Sequence, residues 1–349
     1  MRTVGELKIA VYGAGAMGTV LGALLVKGGL KGVHLVTRNQ SHADGLNAQG
    51  ATVVCEADDT EFTVPVTALT PQNMQEKYDI VFLMTKQRQN EQIVRFLLPY
   101  LSDDGVICTT QNGLPERSVA QILGANRTYG GVASFGATMY GGGKVGLTSK
   151  ISAISMQVAG YASDEKTPIL LEVLSYVSKA TGNENFAQRA ENLSGARWSK
   201  LAINSAFSGL SVVTGLSFGE IAKNKKSRKI ALGILRECMD TAIAHGVTLE
   251  KMQGHDMQKM LGKRGFFATR FALFALPIAM KKHAKLYSGM LKDLQNGKKC
   301  EIDFINGKVV EYAKAVGVQT PLNERVVQLV HDAENGLCEI TPENLEFFN

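Results

Sequence analysis

No run in this chain reaches the ~18 consecutive apolar residues that a membrane span requires. The nearest candidate, FALFALPIAM at 271–280, is short, holds Pro277 and is bracketed by Arg270 and Lys281. Cysteine is sparse: Cys55, Cys108, Cys238, Cys300 and Cys338 are scattered, odd in number and form no C-x-x-C pair. With no His cluster at metal-ligand spacing beside them, neither a disulfide framework nor a metal site is expected. The first apolar run is a strand pattern broken by glycines, which is the wrong order for a signal peptide. A soluble protein of a reduced, cytoplasmic compartment, without membrane contact, is therefore expected. Repeats and low-complexity tracts are absent too. The densest basic run, KNKKSRK at 223–229, lacks the interleaved aromatics that stack bases, and the formal charge of +6 is mild. A solvated helix end is expected there, and no nucleic-acid partner.

What remains is an ordinary globular composition, 45% hydrophobic and 20% charged over 349 residues, longer than one core usually serves. The first half alternates β-rich runs (7–13, 33–38, 78–86, 105–113) with longer stretches of helical spacing, the pattern of a parallel sheet wrapped by helices. Further strands separated by glycine turns follow residue 128, continuing the sheet with mixed direction, and then a helix near 166–180. From about residue 190 helical periodicity takes over. The polar piece TGNENFAQRAEN at 181–192 holds the boundary, so an α/β domain at 1–187 and an all-α domain at 188–349 are expected.

The strongest motif is VYGAGAMG at 11–18: Gly13, Gly15 and Gly18 form G-x-G-x-x-G after a strand and at the start of a helix. Gly13 permits the turn, Gly15 lets the backbone N–H groups near Ala16 and Met17 approach a pyrophosphate, and Gly18 lets helix and strand pack closely. A glycine-rich turn without a ligand is the bland alternative, and the strand–turn–helix context favours dinucleotide binding. Where an NAD enzyme usually carries an acidic residue, the second strand ends in Arg38, whose guanidinium suits a 2′-phosphate; NADP(H) is the expected cofactor, unless Arg38 is merely a surface residue. Lys86 and Asn112 close two further strands and are plausible ligand contacts in the same crevice; otherwise they are a solvated lysine and a turn residue.

In WSKLAINSAFSG at 198–209, Lys200, Asn204 and Ser208 recur every four residues among Leu201, Ala202, Ile203, Ala206 and Phe207. On an α-helix this is one polar stripe, either a solvent edge or the wall of a pocket.

Taken together, the glycine loop, Arg38, TK at 85–86, QNG at 111–113, WSKLAIN at 198–204 and CEIDFINGKV at 300–309 resemble the ketopantoate reductase (2-dehydropantoate 2-reductase) family across nearly the whole chain. The resemblance implies an α/β Rossmann-type N-terminal domain, an all-α C-terminal domain, an active site between them, and NADPH-dependent reduction of a small anionic 2-oxo acid. It makes Lys200 the proton donor and Glu301 the orienting carboxylate, and places Asn204, Ser208 and Ser288 on the substrate. It assigns the cofactor to Gly13, Gly15, Ala16, Met17, Gly18, Arg38, Lys86 and Asn112. A lysine in an apolar cleft near a second cation would have its pKa lowered toward neutrality. On spacing alone, Lys200 and Glu301 read as helix-surface residues.

Three positions depart from the family pattern: Ser208 and Leu286 stand where it has asparagine, and Gly289 where it has serine. Ketopantoate is the substrate the resemblance favours, yet these changes predict a roomier, less polar site suited to a larger apolar side chain. A hydroxy-acid or opine-type dehydrogenase and a non-catalytic NADP(H) sensor are the competing readings. The apolar then basic stretch 270–289 is expected to be a packed helix with a solvated end, though a pocket wall anchored by Lys285 or the contact of a homodimer would also fit.

Overall fold

The computed structural model describes residues 3–251 and 256–348. The chain divides into two compact units, one comprising Met1–Gln111 and Pro115–Leu193, the other Asn112–Leu114 and Ser194–Asn349.

The first unit runs β1 (Ile9–Tyr12), α1 (Ala16–Lys27), β2 (Val33–Val36), α2 (Gln40–Gln49), β3 (Ala51–Cys55), β4 (Thr60–Val64), β5 (Thr67–Leu69), β6 (Tyr78–Leu83), α3 (Asn90–Leu97), β7 (Leu101–Thr109), α4 (Glu116–Leu123), β8 (Thr128–Ala133), β9 (Ala137–Gly141), β10 (Lys144–Leu147), β11 (Met156–Gly160), α5 (Thr167–Thr181) and β12 (Ala187–Arg189). Its main sheet has the order β12-β11-β8-β7-β6-β1-β2-β5, parallel except where β11 meets β8. Strand β1 is flanked by β2 on one side and β6 on the other, so the strand order reverses there and opens a crevice beyond the carboxyl ends. The central strands are buried on both faces and read as continuous apolar runs, IAVY in β1 and IVFL at the end of β6.

The sequence expectations are revised in three places. Within 39–77 the only α-helix is α2, with one 3-10 turn at Pro71–Asn73; β3 is a strand whose alternate residues Ala51, Val53 and Cys55 are buried, paired with β4 and β10. β9 and β10 do not continue the main sheet but join β3 and β4 in a second, four-stranded sheet. In the polar 181–192 piece the fully buried Phe186 anchors β12 onto β11. Helix α1 carries buried residues on nearly every side, as expected of a helix enclosed by its neighbours.

The second unit is helical: α6 (Leu193–Ile203), a π turn (Asn204–Ser208), α7 (Gly209–Thr214), α8 (Phe218–Lys223), α9 (Lys225–Ala244), α10 (Phe266–Ala279), α11 (Gly289–Gln295), α12 (Asn306–Ala315) and α13 (Pro321–Glu334). Its core gathers Leu201, Phe207 and Leu210 from the α6–α7 segment with Ile234 and Leu235 of α9 and Val309 and Val326 of α12 and α13. Helix α10 is not the plain packed helix expected. Ala272 and Leu276 are buried, but Phe266, Phe267, Phe271, Phe274 and Ile278 stand in solvent, Phe267 being 84% and Phe274 71% exposed. Among the described residues no helix is long and apolar enough to cross a membrane.

Candidate active site

The glycine loop follows β1 at the strand-order reversal. A Cβ on Gly13 would lie 2.6 Å from the Thr85 backbone N, and its φ of +99° is one that other residues resist. A Cβ on Gly18 would strike the Gly13 carbonyl oxygen at 2.5 Å, so this position holds α1 against the loop. Gly15 differs: it is exposed, is the N-cap of α1 and would meet no protein atom closer than 4.0 Å. Bare backbone at the start of a 12-residue helix, with room above it, fits a pyrophosphate; Ala16 and Met17 form the first helical turn beneath it.

Arg38 follows β2, is exposed and donates from Nη1 to Gln89 Oε1 at 2.9 Å. Lys86 and Asn112 are exposed residues in the loops after β6 and β7. A buried amide network missed by the sequence reading ties the Thr85–Asn90 loop to the end of β7. Gln111 Nε2 donates to the Thr85 carbonyl (2.8 Å) and to Asn90 Oδ1 (2.7 Å), while Gln111 Oε1 accepts from Thr109 Oγ1 (2.8 Å). The QNG motif thus devotes its glutamine to holding two loops.

In the second unit, Trp198 anchors α6 by stacking on His245 and meeting Tyr312 edge-on, and Ser199 Oγ donates to the Glu250 carbonyl at 2.8 Å. Leu201, Ala202, Ala206 and Phe207 are buried, whereas Lys200, Asn204 and Ser208 are half-buried, so the polar stripe is the open line of a segment otherwise in the core. Burial, and secondarily the charge of Arg197 one turn away, lower the Lys200 ammonium to a pKa of about 7. Arg197 is itself only 2% exposed. It is the unnamed second cation of the sequence argument, and its spacing of three from Lys200 in RWSK was the signal available.

Ser288 is buried and caps α11, its Oγ accepting from the Met290 N–H at 3.2 Å, while its own N–H donates to Ser211 Oγ on α7 at 3.2 Å. Leu286 is 37% exposed, and an added Cβ at Gly289 would meet nothing within 4 Å. Glu301 is half-buried at the start of the 3-10 turn Ile302–Phe304. Five residues on, Asn306 reaches the KLAIN segment, donating from Nδ2 to the Ser205 carbonyl at 3.0 Å. Two motifs about a hundred residues apart in the sequence thus meet inside one core.

A parallel sheet that offers bare helix-end backbone at its carboxyl edge, joined in one chain to a helical unit bearing a lysine of lowered pKa, is the build of a nicotinamide-dependent oxidoreductase, and this chain is of that class. The chain belongs to the ketopantoate reductase PanE/ApbA family, whose N-terminal model matches residues 9–159 and whose C-terminal model matches residues 192–334. A 2-dehydropantoate 2-reductase of Pyrococcus horikoshii is 27% identical over 333 residues, 94% of this chain and 98% of that protein. The ternary structure of a D-mandelate dehydrogenase with NADH and anilino(oxo)acetate superposes with a TM-score of 0.79 at 21% identity, covering 95% of this chain and 99% of that one. A structure described as a dimeric ketopantoate reductase of Staphylococcus aureus does so with a TM-score of 0.71 at 15% identity, covering 95% of this chain and 100% of that one. The activity of this fold family, and of this chain as a member, is NAD(P)H-dependent reduction among 2-oxo and 2-hydroxy acids.

The glycine geometry separates folding from binding. Gly15→Ala should leave Tm unchanged while weakening NAD(P)H roughly tenfold or more, because only the ligand competes for that space. Gly18→Ala should lower Tm by several degrees, about 1–3 kcal/mol of overpacking against a backbone oxygen. Thermal unfolding and fluorescence titration of the two variants check both, and a Gly15→Ala protein that binds normally would remove the loop from the cofactor site.

Proposed function

We propose that the protein reduces a 2-oxo acid to a 2-hydroxy acid with NADPH, Lys200 giving the proton. Bound NADPH supplies the hydride to the carbonyl carbon. The oxygen then needs a proton, and Lys200 Nζ donates it, leaving a neutral amine that its burial and the Arg197 charge already favour. Asn204 and Ser208, in line with Lys200, orient the substrate without adding charge, Ser288 contacts it, and Glu301 orients substrate or lysine. The lowered pKa of Lys200 is the single observation that carries this reading, for a non-catalytic NADP(H) sensor has no use for it.

Ketopantoate is the substrate that the family match favours. A second reading, a bulkier apolar 2-oxo acid, is supported by the exposed Leu286, by the open space at Gly289 and by the likeness to a mandelate enzyme. Following NADPH absorbance with ketopantoate and a panel of branched and aryl 2-oxo acids decides between them through the ratio of kcat/KM. Lys200→Ala should lower kcat by roughly a hundredfold to ten-thousandfold with NADPH binding retained. In the wild type, a protonated donor is required, so kcat should fall as pH rises above about 7, and that limb should vanish in the variant. A Lys200→Ala enzyme with normal turnover would end the assignment.

The cofactor preference rests on Arg38, exposed and steered by Gln89. Arg38→Ala should weaken NADPH by ~1.5–3 kcal/mol, about 10- to 150-fold, while NADH changes little. Equal loss of both nucleotides in a binding titration would refute the 2′-phosphate contact.

A homodimer is part of the same proposal. Taking ~200 Å² for an aromatic side chain, the α10 ridge exposes on the order of 600–700 Å² of apolar surface, more than most monomers show and close to the ~800 Å² that each partner contributes to a standard interface. Phe267, Phe271, Phe274 and Ile278 recur at the spacing of a helix–helix seam, which a second copy's ridge would match. Light scattering should give twice the chain mass, and Phe267→Ser with Phe271→Ser should give the monomer. A wild-type monomer at micromolar concentration would exclude this contact.

A further inference from the structure

The helix that carries Lys200 does not run on regularly. At the π turn the N–H of Gly209 is shared between the Ala206 carbonyl, three residues back, and the Asn204 carbonyl, five back, and skips Ser205, which an α-helix would use. The bypassed Ser205 carbonyl is taken by Asn306 Nδ2 at 3.0 Å. A Cβ on Gly209 would lie 2.8 Å from Asn306 Oδ1 and 3.0 Å from its Nδ2, so glycine is what lets this amide reach the turn.

Behind Asn306 the amide is held from a second side. Its Nδ2 also donates to Asn323 Oδ1 at 3.0 Å, and Asn323 donates to Glu237 Oε2 from Nδ2 at 2.7 Å and from its backbone N–H at 2.9 Å. Glu237 Oε1 accepts from the Leu322 N–H at 2.9 Å. Asn306 and Asn323 are both fully buried. Only the NH2 end of an amide can face a carbonyl, so the orientation of Asn306 is determined. The arrangement is costly: Asn306 Oδ1 and Ser205 Oγ are buried with no hydrogen-bond partner. An unbroken α-helix opposite an aliphatic residue would be cheaper.

The turn alters where the site side chains stand. Over the eight residues from Lys200 to Ser208 an uninterrupted α-helix drifts by about 80°. The π turn absorbs about one extra residue, ~100°, and so brings Ser208 back to within ~20° of Lys200. We propose that Asn306 is a positioning residue: by holding the Ser205 carbonyl out of the helical ladder it fixes the π turn that keeps Lys200, Asn204 and Ser208 in one line toward the substrate. Its function, though not its geometry, rests on the reading of those three residues as the substrate-facing stripe.

Asn306→Ala removes the donor, and Gly209→Ala displaces it sterically; both should raise KM for the 2-oxo acid tenfold or more. NADPH affinity should stay within twofold. The pH limb of kcat should not move either, because Trp198 and Ser199 anchor Lys200 independently of the turn. Leu276→Ala in α10, buried in the same core and with no side-chain group to join the hydrogen-bond network, should lower Tm without raising KM. Unchanged KM in both site variants, or an equal rise in Leu276→Ala, would overturn the proposal. A crystal structure of either site variant is the readout independent of activity. An α turn with the Gly209 N–H on the Ser205 carbonyl is expected, and a retained π turn overturns the latch even if Lys200→Ala has shown the catalytic reading to be wrong.

Discussion

Two cations three residues apart, Arg197 buried and Lys200 half-buried beside it, are the constraint around which the helical unit is arranged. Burying an ammonium beside a guanidinium is unfavourable on both desolvation and Coulombic grounds, and Lys200 responds by giving up its proton near neutrality. The surroundings must oppose that cost. Trp198, Leu201, Ala202 and Phe207 supply apolar burial on the other faces of the segment, and the Trp198–His245–Tyr312 cluster ties α6 to neighbouring elements of the unit. On the proposed reading, a lysine on the open line of a helix held on its other sides can transfer a proton without the chain having to rearrange.

The same division between held and open groups recurs in the first unit. Gly13 and Gly18 are spent on close packing, and Gln111 and Asn90 on clamping two loops, while Gly15, Arg38 and Lys86 are exposed beyond the carboxyl ends of the strands. In both units half-buried or exposed members of a motif stand beside members that are buried and structural. Q-N-G sets the clamp Gln111 beside the exposed Asn112, and E-I-D-F-I-N sets the half-buried Glu301 near the buried Asn306, so motif membership alone does not separate structural residues from proposed site residues.

Much of the fold was legible. Apolar strands closed by glycine, asparagine or charge, and separated by helical spacing, announce a parallel sheet because both faces of such a sheet are covered and its strands need no polar alternation. The second sheet was not legible. β3 and β4 are short, β4 is largely solvent-facing, and β10, the other partner of β3, lies some ninety residues away, so no local pattern marks them as a layer apart. β12 escaped notice inside a polar connector for a similar reason, since only Phe186 and the pairing with β11 make it a strand. Helix α10 shows the opposite failure: its apolar residues were plain, but composition could not tell which of them point at the core and which at solvent.

The sequence by itself determined the glycine cradle, the alternation that builds the first unit, the Arg38 position and the four-residue recurrence of Lys200, Asn204 and Ser208, all of which depend on neighbours within a turn or a strand. Only the tertiary structure decided that Arg197 is buried beside Lys200, that Gln111 is a clamp and that the stripe contains a π turn. The physical reason is that a helix chooses between i−4 and i−5 bonding by what else can satisfy the skipped carbonyl, and here that partner, Asn306, lies 101 residues further along the chain.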